Sequence, residues 1–124
     1  MTFIQAKNFG SLRGNPTMIV IHDMEAPEKG ETAENVARYF STLNKPASAH
    51  YCIDNNSIVQ CVQDQRVAYH APGANKVGLG FEHAGYARQA AHEWFDAYSM
   101  AMLDNSTNLA AMKCVQYGIP ARYI

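Results

Sequence analysis

The sequence contains no stretch approaching 18 consecutive apolar residues, so no segment reads as a membrane-spanning helix. It also lacks an excess of either charge. Ten Lys and Arg stand against eleven Asp and Glu, a formal net charge of -1. Such a chain has no field to collect nucleic acid or an anionic membrane, so any polymer it binds is read by a local groove. Cysteine is scarce: Cys52, Cys61 and Cys114 are an odd number with no CxxC pair. That argues against a disulfide framework and a structural zinc knuckle, and the three are expected to be reduced core residues. There is no Gly-rich phosphate loop and no GxSxG elbow. The opening residues, MTFIQAKNFGSLRGNP, have no apolar core of the kind a secretion signal needs, so synthesis in a cytoplasm is expected. No repeat, low-complexity tract or linker interrupts the 124 residues, which read as one domain.

What is present alternates between strand and helix signals. Residues 1–16 read as an irregular lead-in closed by Gly14-Asn15-Pro16. Thr17–His22 (TMIVIH) is a short run of β-formers, expected as a buried strand ending on a histidine. Thr32–Leu43 reads as a helix, with Thr32 as its cap and Val36, Tyr39, Phe40 and Leu43 on one stripe. Tyr51–Asp54 and Ser57–Val62 flank Asn55-Asn56, the signature of a tight hairpin, in a register that sets Cys52 opposite Val59 and His50 opposite Cys61. Val77–Glu82 (VGLGFE) is a strand in which small residues alternate with large ones, a pattern that admits a close neighbour to the backbone. From about Glu93 to Tyr117 the chain reads as helix with a break near Asp104-Asn105, a core stripe at Phe95, Tyr98 and Met102, and a stop at Gly118. Ala121–Ile124 reads as the start of an extended segment. The order points to an α/β fold, a mixed sheet with helices on its faces.

Five histidines and one strand-end glutamate carry the candidate chemistry. His22 closes a buried strand at the edge of a loop, the rigid position on which sites are mounted, although a strand-end histidine can equally bond a loop carbonyl. Glu82 closes an apolar strand, where low polarity disfavours the charged carboxylate and lifts it toward the range of a general base; pointing to water is the alternative. His70, in the turn-rich YHAPG, suits a substrate contact or packing against Tyr69. His50, opposite Cys61 and near Cys52, admits a His/Cys/Cys metal cluster, though the spacing matches no common zinc motif. His83 and His92 read as structural or exposed.

Four segments in order, IVIHDME (19–25), SAHYCIDNNSIVQCV (48–62), AYHAPGANKVGLGFEHAG (68–85) and a long helix ending in YGIPARYI, resemble the amidase-2 family. That family spans peptidoglycan amidases of phage and bacteria and the animal peptidoglycan-recognition proteins. The loop wording is most similar to actinobacteriophage endolysin amidase domains, and the resemblance runs from about residue 10 to 124.

The resemblance implies zinc-dependent hydrolysis of the amide between N-acetylmuramic acid and L-alanine. His22 matches the family's first zinc ligand and Glu82 the glutamate that activates water in one branch. The tyrosine that other branches use falls on Ala49, which places this chain with the glutamate branch. His50 and His70 match positions that line or support the substrate cleft. The other ligands are expected beyond residue 124, so the 124 residues alone are expected to be catalytically silent, and the uncovered edge is expected to favour self-association. The implied partner is peptidoglycan, with no nucleic acid and no membrane. The implied setting is the cytoplasm of a phage-infected host, from which the protein is released to act on the cell wall. A non-catalytic peptidoglycan-binding module on the same fold is the competing reading, and an unrelated small α/β binding protein a more distant one.

Overall fold

The computed structural model describes all residues, 1–124. Its centre is a five-stranded sheet built from β1 (Thr2–Phe3), β2 (Met18–Asp23), β3 (Tyr51–Ile53), β4 (Ile58–Gln60) and β5 (Gly78–His83), in the spatial order β1-β4-β3-β5-β2. Only the β3–β4 hairpin is antiparallel; β1 runs parallel to β4, and β5 runs parallel to both β3 and β2. Two helices, α1 (Thr32–Thr42) and α2 (Ala97–Tyr117), cover the faces. The expected mixed sheet flanked by helices is what forms.

Each face of the sheet has its own core. Cys52, Val59, Cys61 and Val62 pack with Ala33, Ala37 and Phe40 of α1. Tyr51, Ile53, Leu79 and Phe81 pack with Met102, Leu109 and Ala110 of α2. The split follows from strand geometry: neighbours along a strand point to opposite faces, so Tyr51 and Ile53 take one core and Cys52 the other. Fully burying a side chain of the size of Leu79 or Phe81 stabilises by about 1.5–3 kcal/mol. The hairpin register is as expected, with Cys52 opposite Val59 and the Cys61 N–H donating to the His50 carbonyl at 2.8 Å.

Several local expectations are corrected. The lead-in is not wholly irregular: Thr2 and Phe3 pair with Val59 and Gln60, and Leu12 bridges Arg66. Two residues are too few to show a period, and their partners lie far along the chain. Thr32 does not cap α1. It is the first helical residue, and its hydroxyl donates to the Pro27 carbonyl at 2.6 Å. The N–H of Ala33 is taken instead by Asp54 of the hairpin turn at 2.9 Å. No break occurs at Asp104-Asn105, because the Asn105 side chain reaches out to the Asp54 carbonyl at 3.1 Å rather than competing for its own helix. α2 starts later than expected, where Asp96 accepts from the Ser99 N–H at 2.8 Å, after a separate 3₁₀ turn at Ala91–Trp94. Phe95 therefore precedes the helix and is exposed, leaving Met102 fully buried and Tyr98 half-buried from the expected stripe. Tyr39 of the α1 stripe is likewise exposed. Gly118 does stop α2, in the left-handed conformation at φ 67°. Ala121–Tyr123 is a 3₁₀ turn rather than a strand.

Candidate active site

Strand register assembles the site. His22 of β2, Glu82 of β5 and Cys52 of β3 are successive partners across three parallel strands. Partners in register emerge on one face with strands about 4.8 Å apart, so His22 and Glu82 are neighbours although 60 positions separate them in sequence. Glu82 closes the floor of a cleft of about 480 Å³, walled by Met24, Glu25 and Ala26 on one side and by Val36, Tyr39 and Phe40 of α1 on the other. One carboxylate oxygen of Glu82 is buried without a hydrogen-bond partner. Burial first, and the Asp23 carboxylate second, push this carboxyl up to about 8.

Behind this row lies a histidine cluster. His70 lies over β5 where the strand carries glycine at alternate positions. A Cβ on Gly80 would stand 2.6 Å from the His70 ring, and one on Gly78 would stand 3.4 Å from it. The small-large alternation of VGLGFE is thus a seat for a ring. His70 Nδ1 lies 3.0 Å from His22 Nε2, and His70 Nε2 lies 3.3 Å from the Gly78 carbonyl. The loop carrying His70 is closed by Asn75, whose side-chain oxygen accepts the N–H groups of His70 and Ala71 at 2.9 and 2.7 Å.

His50 is fully buried beside His70, and both its ring nitrogens are engaged. Its Nδ1 accepts the Gly80 N–H at 3.0 Å, so the proton sits on Nε2, which donates to the Arg66 carbonyl at 2.9 Å. Burial holds this ring neutral, with its pKa lowered to about 3. These bonds narrow the expectation for His50: it braces β5 beneath the cleft and has no surface to offer a substrate. They also remove the His/Cys/Cys cluster. Cys52 and Cys61 lie in the α1 core as free thiols in hydrogen-bond contact, their sulfurs 3.8 Å apart with no disulfide between them. His83 is buried and structural: it donates to the His22 carbonyl at 3.0 Å and accepts from Ser106 of α2 at 2.7 Å. His92 is exposed.

Two supporting residues escaped the sequence reading. Arg13 donates to the carbonyls of Asp64, Asn75 and Gly78 at 3.0, 3.0 and 2.9 Å, so one guanidinium ties the lead-in to the His70 loop. Asp64 gathers Tyr51, Lys113 and Tyr117, each at 2.7 Å, joining the hairpin side of the sheet to α2. Neither sits in a local pattern that marks it, since all its partners are distant in sequence.

The sequence profile of the N-acetylmuramoyl-L-alanine amidase family, Amidase_2, matches residues 12–124. The chain belongs to this amidase family. N-acetylmuramoyl-L-alanine amidase A of Achromobacter lyticus is 27% identical over 116 residues, which cover 92% of this chain and 60% of that protein. A probable N-acetylmuramoyl-L-alanine amidase of Bacillus licheniformis is 30% identical over 119 residues, 83% of this chain and 31% of its own length. The chain therefore spans less than two-thirds of either amidase relative. A mutant endolysin from Bacillus subtilis shares the fold with a TM-score of 0.77 at 20% identity, over 100% of this chain and 82% of the other.

The zinc implied by the amidase-2 resemblance can be tested against these donors. A catalytic zinc takes three protein ligands and an open position. No three His, Cys, Asp or Glu side chains converge on one point in residues 1–124. One nitrogen of His22 is engaged with His70, which leaves a single free nitrogen on that ring. These residues by themselves do not fit a zinc ion.

Proposed function

We propose that this chain carries the cleft of a peptidoglycan amidase that hydrolyses the bond between N-acetylmuramic acid and L-alanine. The observation that carries the reading is Glu82: a half-buried carboxylate with one orphaned oxygen, at the floor of a cleft and in register with His22. In its ionised form, a minority near neutral pH because the carboxyl is raised to about 8, this group would take a proton from water attacking the scissile carbonyl carbon. As the carbon–nitrogen bond breaks, the same proton passes to the departing amine. The cleft between Met24 and the α1 side chains Val36 and Tyr39 suits an extended, partly apolar stem peptide. His70 is connected to the Glu82 row through its contact with His22, and neither histidine lines the cleft itself.

Zinc dependence is part of the proposal through His22 alone. It is one ligand, and the others are assigned to residues beyond Ile124. Release into the cell wall from a phage-infected host, as an endolysin, is proposed on the same footing, supported by the loop wording and by the endolysin fold. Self-association is proposed along β2, whose outer edge is unpaired and whose Ile21 is half exposed.

A second reading has one observation in its favour. Without three converging donors, residues 1–124 suit binding of peptidoglycan without cleavage. A muramyl-peptide cleavage assay with added zinc separates the two. It compares the 124-residue chain with a version extended through the next His and Asp or Cys of the parent gene. Cleavage by the longer chain alone supports the amidase. Silence from both, with retained binding, supports the binding module. Equal cleavage by both overturns the ligand assignment.

A further inference from the structure

We propose that Glu25 is a specificity-determining residue of the Glu82 cleft, selecting stem peptides in which the carboxyl group nearest the scissile amide is masked as a carboxamide. This deepens the amidase reading and rests on it for the class of substrate.

The inference follows from which charges line the cleft. Three of its lining residues, Asp23, Glu25 and Glu82, are acids, and none is Lys, Arg or His. The other five are apolar or aromatic. Bases on the neighbouring elements are turned to other partners. Arg38 of α1 donates to Asn35 at 3.1 Å, and Arg88 lies over the Tyr86 ring at 4.3 Å. Tyr39 and Phe40 belong to the last turn of α1, the negative end of that helix, and the turn carries no basic residue. A ligand carboxylate entering here meets like charge, and no cation of the chain offsets it.

Of the three acids, Glu25 is the one held in place to read a ligand. It is the one non-glycine residue with a positive φ, 51°. Asp23 accepts its N–H at 3.1 Å, and the next residue, Ala26, bridges Gly85. The turn brings the Glu25 side chain to the loop after β5, where its Oε1 accepts the Ala87 N–H at 2.6 Å. One oxygen thus fixes the carboxylate, and the other is left for a ligand that must donate. The stem peptide offers that donor in one of its two chemical forms. The residue after L-alanine is an acid joined onward through its side chain, so its α-carboxyl is either free or a carboxamide. A carboxamide N–H can donate to Glu25, whereas a free carboxylate can only accept and is repelled. A cleft of about 480 Å³ takes only a few residues of extended peptide, which keeps this group in the same cleft as the scissile amide.

The test compares two synthetic muramyl dipeptides, one ending in D-isoglutamine and one in D-glutamate, with the side-chain carboxyl capped as its methylamide in both. They differ only in one carboxamide. Binding is measured by calorimetry on the full-length protein stripped of metal by a chelator, so that the charges in the cleft are those of the chain. The carboxamide form is expected to bind about 10-fold more tightly at low salt, with the gap narrowing as salt is added because Glu25 is exposed. Glu25→Gln keeps an oxygen for the Ala87 N–H but removes the charge, and should bring the two affinities together. Glu25→Lys should reverse the preference, which a purely structural role for Glu25 would not do. If Glu25→Lys does not fold, the wild-type and Glu25→Gln affinities still decide. Equal affinities in wild type would overturn the proposal, and so would a preference unchanged in Glu25→Gln. The same pair is then assayed for cleavage with zinc supplied. A carboxamide preference in binding by a protein that cleaves neither would refute the amidase reading and leave the selectivity standing. Cleavage of both at equal kcat/KM would do the opposite.

Discussion

The carboxylate of Asp54, in the turn between β3 and β4, accepts the backbone N–H of Ala33 at the start of α1 at 2.9 Å. Its second oxygen accepts the N–H groups of Asn56 and Ser57 at 3.0 and 2.8 Å and the Ser57 hydroxyl at 2.9 Å. One fully buried side chain thus closes a hairpin and caps a helix 21 positions away. It is also why Thr32 is free to bond Pro27 instead.

Replacing Asp54 by Ala is expected to cost about 2–4 kcal/mol, because a cap is lost and several buried donors are left bare together. Asp54→Asn keeps the side-chain oxygen for the turn and should cost less. Urea unfolding of the two variants beside wild type checks both the size and the order.

Asp64 should behave as a second anchor. Its ion pair with Lys113 is largely buried, and two tyrosine hydroxyls complete its shell. Burial alone would raise this carboxyl, but the bonds from Lys113, Tyr51 and Tyr117 outweigh it and leave it below its ordinary value. Asp64→Ala is expected to destabilise by about 3–5 kcal/mol, the range for stranding a buried charge. Lys113→Met strands the carboxylate instead and should also destabilise. If either single change proves neutral in thermal unfolding, the network does not join α2 to the sheet.

Acid should weaken the fold through the buried His50 before the Asp64 carboxylate titrates. His50 has an ordinary value of 6.5 and a folded value of about 3. Between those values the unfolded chain binds more protons than the folded one, so stability falls as pH drops through this window and is unaffected by this group above it. Asp64 is depressed, and its contribution is lost at still lower pH, as pH falls through its folded value. Urea midpoints measured from neutral to acid pH should therefore decline first in the histidine range. His50→Gln, though less stable overall, should show a flatter profile there. An equal slope in the variant would assign the loss to other groups.

Glu82→Gln is expected to fold normally, since the orphaned oxygen bonds nothing in the protein. In a version extended beyond Ile124, cleavage should fall by about 10²-fold or more while muropeptide binding persists, the usual weight of a general base. Near-normal turnover would move the base elsewhere, and His70 would be examined first.

The cysteines should all titrate as free thiols in the denatured, unreduced protein. Cys52 and Cys61 are buried with their sulfurs 3.8 Å apart, and Cys114 is half-buried on α2. A count of one would mean that the two hairpin sulfurs had been oxidised to a bridge.

The sequence by itself determined the elements whose signals are local. TMIVIH as a strand, the Asn55-Asn56 hairpin with its register, α1 and the Gly118 stop each carry their cause within a few residues, as β-former runs, turn chemistry or helical period, although TMIVIH forms an edge strand in which only Ile19 is buried and not the buried strand expected. It also determined that His22 and Glu82 lie near strand ends, each one residue short of the actual ends at Asp23 and His83, and the alternation in VGLGFE that makes room for a close neighbour. Only the tertiary structure decided what that neighbour is, namely the His70 ring, and that His22 and Glu82 are register partners. It alone showed that His50 is a brace, that Asp54 rather than Thr32 caps α1, and that Arg13 and Asp64 knot distant segments. The physical reason is common to all of these. A parallel strand pair, a buried ring seat and a charged hub each join residues tens of positions apart. Their stabilisation comes from geometry reached only after the chain has folded back on itself, and no local periodicity encodes it.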